Sequence, residues 1–166
     1  NLYDFDPGRD AVPADRMLEV DRFMLARFAR LTEVVRRGYE AYEFQAAVQA
    51  ITEFDTVDLS AFYLDVSKDR LYTFRADDAA RRSAQTALFE ITETLCRLLA
   101  PILVFTSDEA WENLPGQTIA SVHMAEFPSA QRLTTSASRD LIARWDGIFG
   151  IRDDVLKSLE DARSRS

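Results

Sequence analysis

With 166 residues and 47% hydrophobic content, the chain is long enough to bury a core of its own without disulfides or metal. Its 28 Asp and Glu against 20 Lys and Arg give a formal net charge of -8, which excludes a surface uniformly coated by nucleic acid and restricts any polyanion contact to a local patch. A lone Cys96 and a lone His123 exclude an intrachain disulfide and leave no zinc set and no nucleophilic triad.

The N-terminus, NLYDFDPGRD, has neither the basic start nor the apolar run of a signal peptide, and no stretch approaches the roughly 18 apolar residues of a membrane span, so a cytoplasmic protein without a membrane partner is expected. A start at Asn1 rather than Met reads as part of something larger. From Ala14 to Tyr42, the residues Met17, Val20, Met24, Phe28, Leu31, Val35 and Tyr42 recur at helical spacings, predicting a long helix with Asp15 as N-cap and Gly38 at a bend or end. A second helix is predicted over Glu43 to Thr56, antiparallel to the first, on Phe44, Val48 and Ile51 with Ala46, Ala47 and Ala50. A third, Leu59 to Tyr72, has Leu59, Phe62 and Val66 on one side and Leu64 and Leu71 nearly opposite, the pattern of a largely buried helix.

The longest seam runs through Ala84, Leu88, Ile91, Leu95, Leu98 and Ile102 behind the candidate caps Asp77 and Asp78, with Pro101 ending the rod before Ile102. Thr106 and Glu109 have capping-box spacing for a short helix carrying Trp111 and Leu114, which Pro115-Gly116 breaks. Residues 117–137 read as a connecting loop with a brief extended piece at Ile119 to Met124. Leu141, Trp145, Ile148, Ile151, Val155 and Leu159 predict a final amphipathic helix interrupted by Gly147 and Gly150. No segment sustains strand periodicity, so the fold class is an all-α helix bundle.

The blocks NLYDFDP (1–7), DLSAFYLDVSKDRLYT (58–73), DDAARRSAQTAL (77–88), LLAPILVFTSDEAWENLP (98–115), SVHMAEFP (121–128) and GIRDDVLKSLEDAR (150–163) together closely resemble the anticodon-binding region of bacterial isoleucyl-tRNA synthetases. Valyl and leucyl enzymes carry similar YL-x-x-x-K and LAPILPFT-like elements, and the equivalent domain of either is an alternative. YLD-x-x-KDR-x-YT together with ARRSAQTAL points to the isoleucine enzyme. The resemblance implies an anticodon-binding bundle over 1–116, a connecting loop over 117–137, and a helix over 138–166 leading to a further C-terminal module. It implies a class I ligase whose Rossmann-type catalytic and editing domains lie upstream on the same chain. Its HIGH-like and KMSKS-like motifs are absent here, so ATP and magnesium belong to the parent enzyme and zinc only to a C-terminal module outside this chain. The implied partner is the anticodon stem-loop of tRNA(Ile), bound by a monomer, with no role for DNA.

Single-stranded RNA needs cations for phosphates and rings for splayed bases. At 100° per residue Arg16, Arg27, Arg30 and Arg37 fall within an arc of about 80° beside the apolar stripe. This ribbon reads either as a tRNA contact or as a solvated face, the latter helped by Glu19 on the same arc. Near the end of the third helix, Arg70 and Arg75 are candidate phosphate contacts and Tyr72 and Phe74 candidate stacking rings. Lys68 has its own local anion in Asp65 and is expected to roof the scaffold. Arg81 and Arg82 stand in the first turn of the long helix, against its dipole, and demand an Asp or RNA partner. Trp111 and Trp145 are expected in the core, with His123 and Cys96 structural. The competing reading is a helical scaffold or protein-interaction bundle without RNA binding of its own.

Overall fold

The N-terminal ten residues strap onto a helix that follows them by some seventy positions in the chain. In this computed structural model, which describes residues 1–133 and 138–164, Asp6 caps the single turn α1 (Pro7–Asp10) by accepting from the Gly8 N–H. The Phe5 ring lies 5.7 Å from that of Phe89. The chain then turns at Pro13, whose carbonyl accepts from the Arg16 and Met17 N–H groups. The first long helix, α2 (Glu19–Glu40), therefore starts later than the apolar periodicity predicts. Asp15 is an exposed turn residue and not the N-cap; the N-cap is Leu18, whose N–H donates instead to Ser83 Oγ at 2.9 Å.

Gly38 does not end α2, which runs on to Glu40. It is buried where α3 (Phe44–Glu53) comes closest: a Cβ there would lie 3.2 Å from Ala47 Cβ. The reversal occupies Ala41 to Glu43, with Tyr42 in the left-handed region at φ 59° and the Glu43 N–H donating to Gly38 O. The resulting α2–α3 hairpin matches the expected antiparallel pair.

The break predicted between the second and third helices is absent. α3 runs directly into a π-helical segment, Phe54–Leu64, and on into α4 (Asp65–Thr73). The wide π turns change the phase of the stripe: burial steps from Phe54 to Leu59, then every fourth residue through Tyr63, Ser67 and Leu71. Val66 and Phe62 thus fall outside the buried row, and this helix has one buried side where two were expected.

The central rod is α5 (Ala79–Leu99), capped as predicted by Asp78, which accepts from the Ala80 and Arg81 N–H groups. α6 (Val104–Glu112) begins before Thr106, so the capping box does not form, and Asp108 instead accepts from Ser121 Oγ and the Val122 N–H. Those two bonds dock the following loop, where a 3-10 turn at Val122–Met124 stands in place of the expected extended piece. Trp111 is buried and donates through Nε1 to Ile119 O. α7 (Ser138–Ser164) runs through Gly147 and Gly150 without interruption. The last four positions of the predicted 117–137 loop lie outside the described residues. Among the described residues every regular element is helical, as the sequence predicts.

Candidate nucleic-acid interface

One side of α2 carries, in helical projection, Glu19, Phe23, Arg27, Arg30, Val34 and Arg37. α7 covers its N-terminal half. The Trp145 ring stacks on Phe23 with centroids 4.8 Å apart and planes 14° from parallel. Trp145 Nε1 and Arg144 Nη2 donate to the Glu19 carboxylate, and Leu141 and Ile142 bury against Phe23 and Ala26. Arg27 stands at the margin of this contact, with Nη2 2.8 Å from Asp58 and Nη1 3.6 Å from Asp146. Beyond it the same side is open: Arg30, Val34 and Arg37 are exposed. Arg37 Nε donates only to Glu33 O of its own helix, and Arg30 has no side-chain partner among the described residues.

The sequence-derived site residues separate accordingly. Arg16 lies in the turn before α2 and does not share a helical face with the others. Arg70 is internal: its guanidinium forks onto the buried carboxylate of Asp21 and also donates to Ser67 Oγ and Ala80 O, leaving no direction for a phosphate. Arg75 is exposed and pairs with Asp77 at 2.9 Å. Tyr72 and Phe74 are exposed at the end of α4, and Lys68 pairs with Asp65 at 2.8 Å. Asp65 is held below the ordinary carboxyl value by that hydrogen bond and the Lys68 charge. The partners of Arg81 and Arg82 are carboxylates of the N-terminal strap, Asp4 for both and Asp10 for Arg82.

Comparison with known proteins decides what kind of bundle this is. The family model for the anticodon-binding domain of tRNA ligases matches residues 21–166. The chain belongs to this family. Similar relatives of this anticodon-binding domain are the isoleucine-tRNA ligases of Geobacillus kaustophilus, 43% identical over 166 residues, and Syntrophotalea carbinolica, 46% over 164. That of Moorella thermoacetica is 47% identical over 165 residues. Each match covers at least 98% of this chain, which spans 18% of the length of these relatives.

What the sequence reading missed in this anticodon-binding domain is the placement of α7. Its apolar spacing marks a helix but not the surface it covers, and Gly147 and Gly150 read as interruptions when the backbone passes both as helix. A signal was present: Glu19 and Arg27 lie on the α2 side that carries the otherwise unexplained Phe23, and a large apolar residue among charges calls for a covering element.

Proposed function

We propose that this domain holds the anticodon arm of an isoleucine-accepting tRNA while upstream catalytic and editing domains of the parent chain carry out ATP- and magnesium-dependent aminoacylation in the cytoplasm. Residues 1–116 act as the binding bundle, 117–137 as a connection, and 138–166 as a helix leading on to a C-terminal module, within a monomeric ligase. The observation that carries the reading is the open half of the α2 face. There Arg30 and Arg37 face solvent with no carboxylate ion pair among the described residues, on a chain of net charge -8. Screening limits the reach of the surrounding acidity to about 8 Å at physiological salt, so this strip can attract phosphates locally. Arg75, Tyr72 and Phe74 form a second exposed group that a loop nucleotide can reach.

The test is titration of labelled anticodon hairpins of isoleucine and valine tRNAs into the chain at 50 and 200 mM salt. Two phosphate contacts predict about a tenfold loss of affinity between those concentrations. Absence of binding at low salt establishes the scaffold reading instead. Equal binding of the two hairpins removes the isoleucine assignment and leaves the RNA reading intact.

A further inference from the structure

The first residues of a domain are ordinarily poorly ordered unless something ties them down. Here the tie is polar and specific. Gln85 is fully buried in α5, and its amide serves the strap: Nε2 donates to Asn1 O at 3.0 Å and to Asp4 Oδ1 at 2.9 Å, while Oε1 accepts from Arg82. Arg82 Nη1 donates as well to Asp4 O at 3.0 Å, and the Val12 N–H donates to Thr86 Oγ1 at the same distance. Arg81, Arg82, Gln85, Thr86 and Phe89 thus give one side of α5 to the N-terminal segment. Two of them are cations in the first turn, where the helix dipole disfavours positive charge.

Arg81 carries the grip beyond the strap. Its Nη2 donates to Asp4 Oδ1 and its Nη1 to the Phe74 carbonyl, both at 2.9 Å. Phe74 is the C-cap of α4 and stands between the exposed residues Tyr72 and Arg75. One guanidinium therefore joins the N-terminal strap to the second exposed group assigned above to RNA.

We propose that Asp4, Arg81 and Gln85 are positioning residues for aminoacylation: they lock the strap to the α4–α5 corner, so that the upstream domains and the bound anticodon arm keep one mutual orientation. The inference rests on the RNA-binding reading above. Gln85 is closed off from solvent, Asp4 is an anion, and both terminal nitrogens of Arg81 are occupied, so none of the three serves as a phosphate contact. They act through the strap. An arm held at one end and reacting at the other magnifies any rotation at the joint, and a misplacement of about 1 Å can cost about a hundredfold in rate.

The experiment uses the parent ligase, unaltered and in three forms: Arg81→Met, Gln85→Leu, and a Gly-Ser-Gly insertion directly ahead of Asn1 that leaves every strap contact in place. Charging of isoleucine tRNA is measured as kcat and KM, beside isoleucine-dependent ATP–pyrophosphate exchange, affinity for the anticodon hairpin, and melting temperature. All three forms should lose between about tenfold and a hundredfold in kcat for charging, the scale of such a misplacement. KM for tRNA, hairpin affinity and pyrophosphate exchange should stay within about twofold, the pattern of an interaction that acts only in the transition state. A merely structural role would lower the melting temperature without that split, and the insertion would then be silent. Charging at the unaltered rate in the insertion form overturns the proposal, whatever the two substitutions do to folding. Loss of hairpin affinity in step with kcat also overturns it, since the residues would then shape the RNA contact itself. If the unaltered ligase binds no hairpin, the RNA reading falls and this inference with it.

Discussion

Arg70 and Asp21, 49 residues apart in sequence, close a two-pronged ion pair, with Nη2 2.9 Å from Oδ1 and Nη1 3.0 Å from Oδ2. The carboxylate is fully buried and also accepts from Tyr63 Oη and Ser83 Oγ, so α2, the π-helical segment, α4 and α5 meet on one anion. Burial, reinforced by the charge of Asp21, pushes the Tyr63 phenol well above its ordinary value and keeps it a donor.

Arg70→Ala leaves that carboxylate buried without its countercharge. The expected loss is about 3–5 kcal/mol of stability, measured by urea unfolding. A loss below 1 kcal/mol would show that the pair is dispensable.

Arg27 and Arg30 have equivalent places in the sequence pattern and different partners in the fold. Arg30→Glu with Arg37→Glu should reduce hairpin affinity and leave stability within about 0.5 kcal/mol, as for ordinary surface changes. Arg27→Glu places a third carboxylate beside Asp58 and Asp146 and should lower the melting temperature by several degrees. Thermal melts of the variants check both outcomes, and equal melting temperatures would contradict the assignment.

The N-terminal strap should loosen in acid. Asp4 is held below the ordinary carboxyl value chiefly by the Gln85 hydrogen bond, opposed by burial and aided by the Arg81 and Arg82 charges. A depressed carboxyl stabilises the fold above its unfolded value, about 3.9, and that contribution disappears as pH falls through the lower folded value. Stability should therefore begin to drop as pH falls below about 5 and go on dropping through the depressed folded value, and Asp4→Asn should flatten part of that slope. Parallel pH titrations of the two chains, followed by circular dichroism, report the difference.

Gly38→Val should separate the α2–α3 hairpin, because its Cβ would lie 3.2 Å from Ala47 Cβ and 3.4 Å from Glu43 O. Overpacking of this kind costs about 1–3 kcal/mol. Adding Ala47→Gly to it should recover part of the loss, which a double-mutant cycle measures.

The sequence alone determined the features whose causes are local. Asp78 caps α5, and Pro101 lies just beyond its end. Lys68 finds Asp65 one turn away, and the spacing of the apolar residues sets an all-helical class. Capping, proline geometry and amphipathic periodicity act within a few residues, so they are legible without coordinates. The π-helical segment was only half legible: the step from Phe54 to Leu59 is visible in the sequence, but five residues are also the length of an ordinary connection. Which arginines are free was decided by tertiary structure alone. Arg70 is claimed by Asp21 from another helix, and Arg27 by Asp58 and Asp146, while α7 covers the α2 side next to Arg27 and stops short of Arg30. A charge is neutralised by whatever lies within a few ångströms of it, and chain packing, not sequence distance, sets that neighbour.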